Sequence, residues 1–66
     1  MNISLNGADH ELTGGATILH LLEALELTGQ RLAVEVNDEV IPRSEHSSRE
    51  LREGDKVEIV RAVGGG

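Results

Sequence analysis

The chain is 66 residues long, enough for one small domain, and a domain of that size buries only about 60% of the surface its unfolded chain exposes. It contains no cysteine and no Phe, Tyr or Trp, so disulfides and thiolate metal sites are excluded, and the core has to come from Leu, Ile, Val and Ala. Twelve acidic residues against six basic ones leave a formal charge of −6; that surface repels a phosphate backbone and lacks aromatic platforms for stacking bases, so nucleic acid is not an expected partner.

In chain order, Ile3 and Leu5 alternate with Asn2 and Ser4, the period of a half-buried strand. Asn6-Gly7 follows directly, and this pair favours a type I′ turn because both positions need positive φ. A second strand is predicted through about Ala8 to Leu12, ending at Thr13-Gly14-Gly15. Thr17 stands where an N-cap belongs. Ile18, Leu21, Leu22 and Leu25 then form one apolar stripe at helical spacing, with His20, Glu23 and Leu27 directed elsewhere. With Gly29 as the stop, the spacing predicts a helix from about Thr17 to Thr28, roughly 18 Å long.

Leu32, Val34 and Val36 alternate with Ala33 and Glu35 in a third strand, and Asn37-Asp38 is a turn signal. Val40-Ile41 fits a short strand that Pro42 terminates, since proline cannot donate to a ladder. Arg43 to Arg52 is polar and reads as a solvated loop with one helical turn, anchored by Leu51 alone. Glu53-Gly54-Asp55 makes a tight turn into a last strand, Lys56 to Val63, with Val57 and Ile59 on one face and Val60 and Ala62 on the other. A hairpin, one helix across a sheet face and returning strands describe an α+β roll. Residues 1–63 are expected to form the domain and 64–66 a flexible glycine tail.

No apolar run reaches the ~18–20 residues that span a bilayer, and Met1-Asn2-Ile3-Ser4 lacks a basic, signal-like opening. A cytoplasmic protein without a membrane partner is expected. His10, His20 and His46 share no ligand spacing on one element, so no metal site is expected. Gly14-Gly15 ahead of a helix could suggest phosphate binding, but no G-x-x-x-x-G-K pattern accompanies it, and it reads as a loop break. The acidic residues form no clear pair. Nothing assembles an independent active site, so the chain is not expected to be an enzyme.

The unusual feature is the strand that runs straight into Gly64-Gly65-Gly66. Three extended residues reach about 10 Å, and without side chains they can enter a channel too narrow for any other residue. A carboxylate there is a poor electrophile until coupled to AMP; a sulfur nucleophile that displaced AMP would leave a thiocarboxylate able to carry sulfur without releasing sulfide. For docking, Val60 and Ala62 would form a small apolar patch beside the tail if they face outward. Arg61 is a candidate polar contact, and Val63 joins strand to tail.

The opening Met1-Asn2-Ile3-Ser4-Leu5-Asn6-Gly7, the central block from Ala33 to Ser44 containing Val40-Ile41-Pro42-Arg43-Ser44, and the closing run from Glu53 to Gly66 together resemble the ThiS family, the sulfur carriers of thiamin thiazole synthesis. The resemblance covers essentially the whole chain. It implies a ubiquitin-like β-grasp fold with a mixed four- to five-stranded sheet and one main helix. It also implies a cycle in which an E1-like adenylating enzyme uses MgATP on Gly66, a cysteine desulfurase supplies sulfur, and thiazole synthase takes the sulfur from the thiocarboxylate. Gly65 and Gly66 match the family's diglycine; Gly64 adds a third glycine that leaves the terminus chemically equivalent. It further implies that the carrier itself binds no cofactor and catalyses nothing. Three alternatives stay open on the sequence: a carrier resembling the small subunit of molybdopterin synthase, a ubiquitin-like modifier, and a β-grasp binding module.

Overall fold

The computed structural model describes residues 1–61. Five strands and one helix follow in order: β1 (Asn2–Leu5), β2 (Ala8–Glu11), α1 (Ile18–Ala24), β3 (Leu32–Val36), β4 (Glu39–Ile41) and β5 (Lys56–Arg61), with a 3-10 turn at Arg43–Glu45. The strands form one mixed sheet in the order β2-β1-β5-β3-β4. β1 and β5 run parallel, and every other pair is antiparallel. The last strand therefore lies at the centre of the sheet, held on both sides.

The β1–β2 hairpin turns at Asn6 (φ 49°) and Gly7 (φ 86°), the two positive values that Asn-Gly supplies. Asn37 and Asp38 do the same between β3 and β4. Alternation puts Ile3, Val34, Val36, Ile41 and Val57 on the inner face, where they pack with Ile18, Leu21, Leu22 and Leu51. Full burial of one such aliphatic side chain contributes about 1.5–3 kcal/mol, which is how a chain without aromatics sustains a core.

Thr17 is the N-cap. Its hydroxyl accepts from the His20 N–H at 3.2 Å, while His20 Nδ1 accepts from the Thr17 N–H at 3.0 Å. His20 thus takes the place usually filled by Glu or Gln in a capping box. The Ile18 and Leu19 N–H groups donate to the carbonyls of Arg49 and His46. The donors a helix start normally leaves open are all satisfied from within, so Gly14-Gly15 leads to no vacant anion site.

Three sequence expectations are corrected here. The helix is seven residues long rather than twelve, and Gly29 does not end it. The Leu27 N–H reaches the Leu22 carbonyl (2.8 Å) and the Glu26 N–H that of Glu23 (3.0 Å), a Schellman closure with Glu26 at φ 58° where glycine is usual. Leu27 consequently folds back onto the core instead of pointing away. The stretch from Arg43 to Arg52 is also more than a solvated loop. His46 is buried, as is Leu51; the His46 Nε2 donates to the Ile41 carbonyl at 3.0 Å, and Glu50 bridges to Thr17.

Candidate functional site

The end of β5 is where the sequence directs attention. Along β3 the strand is held in the register Val36–Val57, Val34–Ile59 and Leu32–Arg61. Along β1 the backbone ladder is shorter: the Ser4 N–H donates to the Asp55 carbonyl and the Asn6 N–H to the Val57 carbonyl, both at 2.9 Å. There the chain turns away at Asn6-Gly7, and the side chain of Asn6 takes over. Its Oδ1 accepts from the Ile59 N–H at 2.8 Å, and its Nδ2 donates to the Ile59 carbonyl at 3.2 Å. Asn37 acts similarly at the other end, with Oδ1 accepting from the Lys56 N–H at 2.9 Å.

Of the candidate docking residues, Val60 and Arg61 fall among the described ones; Ala62 and Val63 lie outside them, as do the tail residues Gly64 and Gly65 and the terminal Gly66. Val60 points outward and is 51% exposed. Arg61 is exposed as well, and its Nη2 donates to Gln30 Oε1 at 3.2 Å. By strand alternation Arg61 lies on the helix side and Val60 on the outer face, so the two do not form one patch.

The outer face carries features that sequence reasoning missed, because strand register alone reveals them. Val60 stands opposite Ala33, and Glu35 lies between Glu58 and Val40. Val40 is 63% exposed, so two valines flank a facing pair of carboxylates. Neither Glu35 nor Glu58 has a salt bridge among the described residues; the ion pairs there are Lys56–Asp38 at 2.7 Å and Arg49–Glu39 at 3.9 Å. The hydrogen bond and charge of Asp38, helped by Glu58 and Glu35, raise the Lys56 ammonium above the ordinary lysine value. No group of three or more potential metal ligands occurs among the described residues, and no helix there is long and apolar enough to cross a membrane.

A mixed sheet whose first and last strands pair in parallel at its centre, with a single helix across one face, defines the ubiquitin-like β-grasp class. The model of the ThiS family matches residues 3–66, and the chain belongs to that family. The crystal structure of a thiamine biosynthesis protein (ThiS) from Geobacter metallireducens superposes with a TM-score of 0.87 at 30% identity, each chain covered in full. The sulfur carrier protein ThiS of Escherichia coli is 26% identical over the full length of both chains. Thiazole synthases from Paramagnetospirillum magneticum and Magnetococcus marinus match all 66 residues at 35% and 38% identity, and the chain spans 20% of the length of each.

Proposed function

We propose that this chain is a sulfur carrier of thiamin biosynthesis and that the carboxylate of Gly66 is its working group. The observation that carries the reading is that the family match runs from residue 3 to residue 66, including the glycine run as well as the β-grasp body. β5, from which the glycine run continues in sequence, is the central strand of the sheet, paired with both β1 and β3.

The chemistry follows from what a carboxylate lacks. An E1-like partner transfers AMP from MgATP to Gly66 and releases pyrophosphate, converting a poor leaving group into a good one. Sulfur from a cysteine desulfurase comes as a persulfide whose outer sulfur attacks the carbonyl. The C–S bond forms as the C–O bond to AMP breaks, and a second thiol then cleaves the S–S bond of the resulting acyl disulfide, leaving the thiocarboxylate and a disulfide on the donor. Thiazole synthase then takes sulfur from the thiocarboxylate. The chain is a co-substrate in this cycle, and the cofactor belongs to the partner. The likeness to two thiazole synthases supports that enzyme as the sulfur acceptor. Val60 with its neighbours on the outer face, and Arg61 on the other, are the docking candidates nearest the tail.

Residues appended after Gly66 test the reading. A carrier with a blocked terminus is no longer adenylated and no longer supports thiazole formation, while a binding module keeps its partner. Undiminished thiazole formation from the blocked chain would rule the carrier reading out.

A further inference from the structure

Asn6-Gly7 is explained as a turn, but the turn does not require the Asn6 side chain. Gly-Gly and Asp-Gly satisfy the same type I′ geometry. The amide of Asn6 does something else: it binds both the N–H and the C=O of Ile59, 53 residues away in the chain. A planar amide with one donor and one acceptor imitates a residue of the neighbouring strand. It extends the β1 side of the ladder by one step just where the β1 backbone, having bonded Val57, has turned away. Without it, β5 beyond Val57 would be held by β3 alone, and the last described residue, Arg61, lies two positions beyond Ile59.

From this geometry we infer that Asn6 is a positioning residue for the carrier reaction. By clamping Ile59 it fixes the direction in which β5 leaves the sheet, and hence where the segment ending in Gly66 is delivered. The inference rests on the carrier reading above. It places the effect of Asn6 in the reaction of a bound tail rather than in docking, because β3 still holds Glu58 and Val60 in register opposite Glu35 and Ala33. A misplacement of about 1 Å at a reacting group can cost on the order of 100-fold in rate.

The test compares full-length wild type with Asn6→Gly, which keeps the turn and loses both bonds, and Asn6→Asp, which keeps an acceptor for the Ile59 N–H but sets a carboxylate oxygen against the Ile59 carbonyl. Ile41→Val serves as a control that lowers stability without touching the end of β5. Pyrophosphate release is followed with the adenylating enzyme and MgATP, and hydrogen exchange of the Ile59 amide is read in parallel. Asn6→Gly is expected to lose protection at Ile59 and to lower kcat about tenfold or more with KM for the carrier little changed. Asn6→Asp falls between it and wild type, and Ile41→Val leaves kcat unchanged. Loss of Ile59 protection with unchanged kcat in Asn6→Gly would overturn the inference and leave Asn6 purely structural. Equal losses of kcat in Asn6→Gly and Ile41→Val would overturn it as well. A wild-type chain that is never adenylated would instead overturn the carrier reading itself, and this inference with it.

Discussion

Glu35 and Glu58 stand directly opposite each other on adjacent antiparallel strands, without a salt bridge to either carboxylate among the described residues. Like charges so placed destabilise a sheet, with cross-strand pairs worth roughly 0.2–1 kcal/mol. Glu58→Gln should therefore stabilise the free protein by about 0.5 kcal/mol, a rise of a few degrees in Tm by thermal denaturation. Glu35→Gln should do the same, and the double variant should gain less than the sum, because either change alone removes the repulsion. Additive gains would show that the two carboxylates do not interact.

Glu26 occupies the left-handed position that closes α1, at a backbone cost of about 1–2 kcal/mol for an L-residue. Glycine avoids that cost but loses more freedom on folding. Glu26→Gly should raise the unfolding free energy by about 0.5–1 kcal/mol in urea titrations. A loss of stability would mean that the Glu26 side chain contributes more than its backbone costs.

Most of this fold was legible in the sequence for physical reasons that can be named. Two-residue alternation marked β1, β3 and β5, and Asn6-Gly7 and Asn37-Asp38 marked their turns, because strand period and positive φ are local properties. The end of the helix was not legible: the pattern through Leu25 and Leu27 is compatible with a further turn, and the Schellman closure depends on Leu27 finding the core. His46 looked solvated because its partner, the Ile41 carbonyl, becomes available only once the loop folds over the sheet. For the site, the glycine run was plain, while the Asn6 clamp and the Glu35–Glu58 pair were hidden, since both depend on register between residues far apart in sequence.

Lys56 is the only lysine, and there is no tyrosine or cysteine, so alkaline titration below the arginine range is dominated by this residue once the α-amino group has lost its proton. Asp38 raises its folded-state pKa. A raised pKa means that the folded state holds the proton more tightly than the unfolded state; the stabilisation is complete below the ordinary lysine value of 10.5 and is lost as pH climbs through the folded value. Stability should thus fall on the alkaline side above that value, and Asp38→Asn should flatten the fall. An alkaline limb identical in Asp38→Asn would remove the Lys56–Asp38 pair as its cause.

Arg61 donates to Gln30 from an exposed position, so Arg61→Glu should leave the fold intact by circular dichroism. As a charge reversal beside the tail, it should raise KM for the carrier in adenylation by about three- to tenfold, with kcat less affected. That pattern is the converse of the one expected for Asn6→Gly. Unchanged adenylation kinetics would remove Arg61 from the docking surface.

The most direct measurement is intact-protein mass spectrometry on the chain purified from its native cells without a C-terminal tag, followed by sequencing of the terminal peptide. A carrier yields a fraction heavier by the difference between one sulfur and one oxygen, located on a peptide that ends at Gly66. Only unmodified mass, persisting after incubation with the adenylating enzyme, MgATP and a sulfur source, would contradict the assignment of Gly66 as the sulfur-bearing group.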